Sequence, residues 1–323
     1  MKQFAGVYLM IAGILMGFYL LFGVYVPSRL PVSRLPVVIP QTEAAAPLAL
    51  LASGKYERPK KDSAGPKPLF SIPDGLIAEV DFWKKIYSVY TTDEAVLHDP
   101  DNLKKVYGVI KLPHCDAPPT KECLKTREDV MEQEKKRLIG EKDIKIRAQV
   151  GQKDRFLLGI LASEKYLKDI EKVFSEYDIP SELSRLPFVE SMFNLDAYSR
   201  SGAAGIWQLM PSTARMLGLK VNRNMDERKD PIKSTYAAAH HLMRDFKRLG
   251  AWDLAINAYN SGPSRLADAV HKLGTKNIVR IINNYNHPAY GFAARNFYPC
   301  FLAVLDVYES HKKEYLSVRE GKQ

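Results

Sequence analysis

Cysteine is scarce in this sequence, with three residues in a chain of 323. Such a low content excludes a disulfide-rich scaffold. Cys115 and Cys123 flank a turn-rich stretch, so their spacing is compatible with a local disulfide in an oxidising compartment. Cys300 lies in an apolar helical pattern, and we expect it to be a packed thiol.

Metal-ligand spacing is also missing from the sequence. The seven histidines show no zinc pattern, and the adjacent His240 and His241 point to different faces of a helix. No aromatic-interleaved basic motif or zinc-finger spacing supports nucleic-acid binding. The formal net charge of +10 suits a polyanionic partner such as a cell-wall polymer or a membrane surface, although solubility alone also explains it. We therefore expect no metal, no cofactor and no nucleic acid.

Charged residues are absent from Phe4 to Val26, a run of 23 residues that Lys2 precedes. This run is longer than the apolar core of a signal peptide and can span a bilayer. We predict that residues 1–26 form an uncleaved membrane anchor, with a cleaved signal peptide as the alternative. Basic residues on both sides leave its orientation open. Residues 27–72 are rich in proline and alanine, which predicts a linker.

Two helical regions are predicted after the linker. Residues 73–175 show helical spacing of apolar side chains and no recognisable chemistry, so we expect them to pack on the next domain, with partner docking as the alternative. Residues 176–318 have regular helix boundaries: Asp230 is a good N-cap for a long helix, and Gly250 is placed to end it. Since no segment of this domain resembles a strong strand, the predicted fold class is all-α.

Glu190 is a carboxylate where a helix would carry an apolar side chain. Helical spacing places Leu183, Leu186 and Glu190 on one stripe. Burial beside apolar neighbours raises the pKa of a carboxyl group, so such a group can hold a proton near neutral pH and deliver it. A solvated glutamate on a helix of different register is the alternative interpretation.

Two further clusters carry side chains that suit sugar binding. The first is Ser199-Arg-Ser-Gly-Ala-Ala-Gly-Ile-Trp-Gln-Leu-Met-Pro211, and the second is Ala258-Tyr-Asn-Ser-Gly-Pro263. Aromatic and thioether faces pack on sugar C–H groups, while amides and hydroxyls meet hydroxyl and N-acetyl groups. Each cluster alone is weak support, because a Trp-Gln pair is usually structural and Asn-Ser-Gly is usually a plain turn.

Taken in order, Glu190-Ser191, Gly205-Ile-Trp-Gln and Ala258-Tyr-Asn resemble the motifs of the family 1 lytic murein transglycosylases. The Gly-Ile-Trp-Gln form is similar to the membrane-bound D-type branch. The resemblance covers roughly residues 165–308. It implies a lysozyme-like catalytic domain of the goose type, with peptidoglycan glycan strands as its partner and substrate.

The resemblance also implies residue roles. Glu190 matches the sole catalytic acid/base of the family, and Ser191 matches the serine that helps to hold it. The matches to substrate-groove positions are Ser199, Gln208, Met210, Tyr259 and Asn260. Where relatives usually carry a groove tyrosine before a valine, this chain has Phe297-Tyr298, so the ring is retained and the hydroxyl is lost or displaced by one residue.

Most glycosidases use two carboxylates, but the nearest second candidate, Asp196, is expected in a loop. With Glu190 as the single acid, we expect the substrate's own acetamide to assist and its C6 hydroxyl to close a 1,6-anhydro ring. A hydrolytic muramidase of the same fold is the closest alternative, and a non-catalytic peptidoglycan-binding or envelope-assembly protein is the other. A peptidoglycan substrate implies the periplasmic side of a bacterial membrane.

Overall fold

The computed structural model describes residues 69–319 apart from residues 118 and 141, with side chains described up to residue 311. The predicted membrane anchor, residues 1–26, and nearly all of the predicted linker lie outside the described residues. Within the described part, none of the helices combines the length and apolar character of a bilayer-spanning segment.

The described region is mostly helical, which confirms that part of the predicted fold class. Short 3₁₀-helices occur at Asp74–Leu76, Ser181–Arg185 and Glu227–Lys229. The α-helices, in chain order, are α1 (Ile77–Ser88), α2 (Lys121–Ile139), α3 (Lys153–Ser163), α4 (Leu167–Glu176), α5 (Leu186–Ser191), α6 (Pro211–Met216), α7 (Pro231–Leu249), α8 (Trp252–Ser261), α9 (Pro263–Leu273), α10 (Ile278–Asn284) and α11 (Phe292–Arg319).

The region 73–175 is not wholly helical, so the sequence prediction is wrong there. Strands β1 (Glu94–His98), β2 (Val106–Lys111) and β3 (Arg147–Val150) form an antiparallel sheet of order β2-β1-β3. The central strand β1 is buried at four successive residues, 95–98, and not at alternate ones, so it lacks the period of two that marks a half-buried strand. The β1–β3 pairing also joins segments that α2 separates in the chain, and such long-range pairing leaves no local signal.

The N-terminal helix and the last helix share one hydrophobic core with the rest of the C-terminal half. Trp83 of α1 is fully buried and donates its indole N–H to the side-chain oxygen of Asn296 in α11, at 2.8 Å. Phe70 packs edge-on against Phe301, with ring centroids 5.4 Å apart. Residues 73–175 therefore pack on the C-terminal half, as expected from the sequence.

The predicted helix boundaries of the C-terminal half agree with the structure. The Asp230 carboxylate accepts hydrogen bonds from two backbone N–H groups in the first turn of α7, and α7 ends at Gly250 in the left-handed conformation. Cys115 and Cys123 form the local disulfide. Cys300 is a buried free thiol in α11, which confirms its predicted packing role.

Candidate functional site

Glu190 lies in the last turn of the short helix α5, whose preceding residues from Leu186 to Val189 are all buried. Leu183 and Leu186 are fully buried, whereas the Glu190 side chain is partly exposed. Desolvation of the carboxyl group raises the pKa of Glu190 from its ordinary value of 4.5 to about 8. Among the residues that the structure describes, none donates a hydrogen bond or offers a cation to this carboxyl. The group can therefore hold its proton at neutral pH.

Ser191 connects the end of α5 to the loop that carries the second motif. Its hydroxyl donates to the carbonyl oxygen of Ile206 at 3.0 Å, and the carbonyl oxygen of Pro187, 3.2 Å away, is the alternative acceptor for the same proton. The helix ends directly afterwards, because Met192 has a φ of 51°, in the left-handed region. The position of Glu190 is thereby fixed relative to the Gly-Ile-Trp-Gln loop.

Tyr259 makes the equivalent connection from the third motif. Its hydroxyl donates to the carbonyl oxygen of Trp207 at 2.8 Å. The Trp207 indole N–H in turn donates to the Thr235 hydroxyl at 2.9 Å, which anchors the loop to α7. Desolvation raises the pKa of Tyr259 well above its usual range, and the negative charge of nearby Glu190 adds to this effect. The structure therefore brings the three predicted motifs together.

Gln208 lies in the same loop, where the amide nitrogen of its side chain is hydrogen-bonded and the amide oxygen, within the described part of the chain, is not. The residue is 5% exposed and has a φ of 46°, a backbone conformation that is strained for any residue other than glycine. Its amide N–H₂ donates to the carbonyl oxygen of Gly205 at 2.8 Å. Its amide oxygen is buried and accepts no hydrogen bond from the described residues. A ligand that donates an N–H or O–H would satisfy this oxygen.

The remaining predicted groove residues occupy different environments. Ser199 is almost fully buried, and its hydroxyl closes a turn by accepting from the Ala203 N–H at 2.7 Å and contacting the Ser201 hydroxyl at 2.8 Å. Met210 is partly exposed at the start of α6. Asn260 is also partly exposed, directly after Tyr259. Ser199 therefore has a loop-closing contact that the sequence did not predict.

Phe297 and Tyr298 are both buried in α11, 2% and 4% exposed. Desolvation raises the pKa of Tyr298, and the charge of Asp253 adds to the shift.

Asp196, the nearest second carboxylate in sequence, is 63% exposed and lies 3.7 Å from the Lys229 ammonium group. In the described part of the chain, no group of three His, Cys, Asp or Glu side chains is arranged to hold a metal ion.

Arg228 supports the loop, and sequence reasoning missed it. Its guanidinium is 2% exposed, is paired with Asp226, and donates to the carbonyl oxygens of Gly202 at 2.6 Å and Leu209 at 2.9 Å. Gly205, with a φ of 75°, lies against the Arg228 backbone so closely that a Cβ would meet its carbonyl oxygen at 1.9 Å. The charged stretch around Arg228 looks solvated in the sequence, so no local signal marked it.

Replacing Arg228 tests this support. We expect Arg228→Met to lower the free energy of unfolding by about 2–4 kcal/mol, because it leaves two loop carbonyls and Asp226 without their donor. The matched control is Arg223→Met in the same loop, where the arginine is exposed, and its effect should stay within about 0.5 kcal/mol. Urea denaturation measures both; equal stabilities would show that Arg228 does not hold the loop.

The raised pKa of Glu190 has a consequence for stability. The folded protein keeps this proton up to about pH 8, whereas the unfolded chain loses it near its ordinary value of 4.5, so rising pH destabilises the fold between these values. Glu190→Gln removes this effect. We expect the variant to match wild type near pH 4 and to be more stable by several kcal/mol at pH 8, since each unit of pKa difference corresponds to about 1.4 kcal/mol. Denaturation at both pH values checks this, and a variant less stable at pH 8 would contradict it.

Comparison with known proteins finds similarity over the segment that contains this site. Residues 170–282 match the family model described as "Transglycosylase SLT domain". Membrane-bound lytic murein transglycosylase D of Escherichia coli is 44% identical over 111 residues, which are 34% of this chain and 25% of that protein. Membrane-bound lytic murein transglycosylase F of Cellvibrio japonicus is 31% identical over 103 residues, 29% of this chain and 20% of that protein.

The chain thus spans about a quarter or less of the length of these relatives. A solved structure, the 70 kDa soluble lytic transglycosylase of Escherichia coli, aligns with a TM-score of 0.36 and 21% identity over 44% of this chain and 24% of that one. The matched segment contains Glu190, the Gly-Ile-Trp-Gln loop and Tyr259. Residues 170–282 therefore match a transglycosylase SLT domain, which agrees with the resemblance that the three motifs predict.

Proposed function

We propose that this protein is a peptidoglycan lytic transglycosylase. It cleaves the β-1,4 bond between N-acetylmuramic acid and N-acetylglucosamine and leaves 1,6-anhydro-muramoyl ends. The observation that carries the proposal is the desolvated carboxyl of Glu190, held by Ser191 beside the Gly-Ile-Trp-Gln loop. The match to a transglycosylase SLT domain and the names of the relatives support the same activity and substrate.

Glu190 acts first as a general acid. A pKa of about 8 keeps it protonated at neutral pH, so it can deliver a proton to the bridging oxygen as the glycosidic bond breaks. Once ionised, the desolvated carboxylate is a stronger base than an ordinary glutamate, because its pKa is about 8 and not 4.5. It then takes the proton of the C6 hydroxyl of the same muramoyl unit, and that oxygen attacks the anomeric carbon. Intramolecular attack has a large effective concentration, so no activated water is required.

A second carboxylate is not part of the proposal. Asp196 is exposed and lies near Lys229, as expected for a loop residue. The acetamide of the muramoyl unit instead stabilises the developing positive charge at the anomeric carbon. This assignment separates the proposed reaction from hydrolysis by a muramidase, which needs a positioned water and a base to activate it.

The other groove residues bind and orient the glycan in this proposal. The unpartnered amide oxygen of Gln208 accepts a hydrogen bond from a sugar hydroxyl or N-acetyl N–H. Asn260 offers its amide to the substrate acetamide, and the Met210 thioether packs on a sugar face. Tyr259 and Ser191 position Glu190 through the loop carbonyls. Ser199 stabilises the loop and does not contact the glycan, because its hydroxyl is hydrogen-bonded to the Ala203 N–H and to the Ser201 hydroxyl.

We also propose a location in the cell envelope. The names of the relatives describe membrane-bound enzymes, and the uncharged run from Phe4 to Val26 suits a membrane anchor. The domain would then act on the periplasmic side, where its substrate lies.

Glu190→Gln tests the proposed acid directly. The variant keeps the size and polarity of the side chain but has no acidic proton. Turnover should therefore fall by a factor of at least about 10², while glycan binding is retained. The matched control is Glu182→Gln in the preceding 3₁₀-helix, which should keep full activity.

Mass spectrometry of the products identifies the reaction. Anhydro products are lighter by one water than reducing-end products, so wild type should release the lighter species. Reducing-end products would instead establish the muramidase. Absence of cleavage by wild type would favour a non-catalytic binding protein, and full activity of Glu190→Gln would remove Glu190 from the mechanism.

The pH profile is a second test. Since the free enzyme needs Glu190 protonated, kcat/KM should be lost as pH rises through about 8, by about tenfold per further pH unit. Initial rates of glycan release, measured from about pH 5 to about pH 10, give the alkaline loss of kcat/KM. A limb near the ordinary glutamate value would show that Glu190 is not desolvated in the working enzyme.

A further inference from the structure

Arg147 of β3 lies over a ring at the start of α11 without a counter-charge. Its guanidinium carbon is 4.1 Å from the centroid of the Phe292 ring. The residue is partly buried, its Nε donates to none of the described residues, and none of the described carboxylates pairs with it. Burial lowers the pKa of Arg147 to about 10. A desolvated and unpaired cation costs free energy, which a bound anion would offset.

Arg295 adds a second cation on the same face of α11, one turn after Phe292. Its side chain is 41% exposed, and its guanidinium lies 3.7 Å from the Asp101 carboxylate. That carboxylate already pairs with the Lys145 ammonium group at 2.8 Å. One carboxylate therefore serves two cations, and the surface around Phe292 keeps an excess of positive charge. We call Arg147, Phe292 and Arg295 the arginine pair site.

The arginine pair site adjoins the helix that carries the third motif. Asn257 of α8 donates its amide N–H to the carbonyl oxygen of Ala294 at 2.8 Å, and it accepts from the Tyr290 hydroxyl at 3.0 Å. Asn260 lies one helical turn after Asn257 on α8. The start of α11 is therefore packed against the segment that presents Asn260, and a polymer bound there would pass near the two arginines.

We propose that Arg147 and Arg295 bind a carboxylate of the peptide stem that a peptidoglycan strand carries on its muramoyl units. This assignment rests on the proposed function. Guanidinium forks match carboxylates in geometry and charge, whereas the sugars of the strand offer no anion while the stem is attached. The site would select glycan that bears stems with free carboxylates. Phosphate shares this anion chemistry, and the experiment separates the two sources.

The test removes the negative charge of the ligand without removing the stem. A soluble stem-bearing tetrasaccharide is compared with the same compound after its stem carboxylates have been converted to amides with ammonia and a carbodiimide. Calorimetry measures the affinity of both for the full chain carrying Glu190→Gln, which prevents turnover. We expect amidation to weaken binding about tenfold, the loss of one charge-assisted contact.

Substitution of Arg147 should abolish this difference. In an Arg147→Gln background, amidation should change the affinity less than about twofold, and Arg147→Lys should give an intermediate value. The matched control is Arg137→Gln on α2, an exposed arginine paired with Glu134, which should retain the tenfold difference. If Arg147→Gln fails to fold, Arg295→Gln provides the same measurement.

Two results would overturn the proposal. An amidation effect of equal size in wild type and Arg147→Gln would place the carboxylate elsewhere. Binding of inorganic phosphate that depends on Arg147, with no effect of amidation, would assign the site to a free anion. Cleavage assays with wild type remain separate: absence of cleavage would contradict the proposed function while leaving the binding comparison readable.

Discussion

Two neighbouring backbone carbonyls hold this site together. The carbonyl oxygen of Ile206 accepts from Ser191, and that of Trp207 accepts from Tyr259. These contacts join three segments that are far apart in the chain, and each donor is adjacent to a residue with a proposed chemical role. A loop that shifted would lose both contacts at once. The rest of the domain can be understood as the scaffold that keeps this loop in place.

The scaffold meets that requirement by long-range contacts of buried polar groups. The Arg228 guanidinium donates to carbonyl oxygens at both ends of the loop, those of Gly202 and Leu209. Because Gly205 has no side chain, the loop backbone can approach the backbone of Arg228 closely. Trp207 is anchored to α7 through Thr235. Buried hydrogen bonds of this kind are costly to break, because the abandoned partner has no water to replace it. The strained backbone of Gln208 persists in this setting, which is typical of residues at functional sites.

The electrostatics of Glu190 follow from the same arrangement. The hydroxyls of Ser191 and Tyr259 are engaged with loop carbonyls, and desolvation is the cause of the raised pKa of Glu190, so the described part of the protein does not stabilise its ionised form. Tyr259 is close enough to experience the charge, yet its proton is directed to Trp207. A carboxyl in this state is still protonated at neutral pH, and the substrate in our proposal supplies the oxygen that receives its proton.

The sequence predicts the parts of this site that depend on local patterns. Asp230 and Gly250 marked a helix, and the order of three motifs predicted Glu190, Gln208 and Tyr259 as candidate site residues, which the structure brings together. It could not predict Arg228, because the importance of that residue lies in contacts with carbonyls 19 and 26 positions away. The sheet was missed for a similar reason, since β1 and β3 pair across the whole of α2.

The most direct test of the account is the titration of Glu190 itself. Carbon-detected NMR of side-chain carboxyls, with Glu190→Gln to assign the resonance, measures its pKa in the free protein. We expect a midpoint of about 8. A midpoint near the ordinary glutamate value of 4.5 would show that the carboxyl is solvated, and Glu190 could not then store a proton at neutral pH.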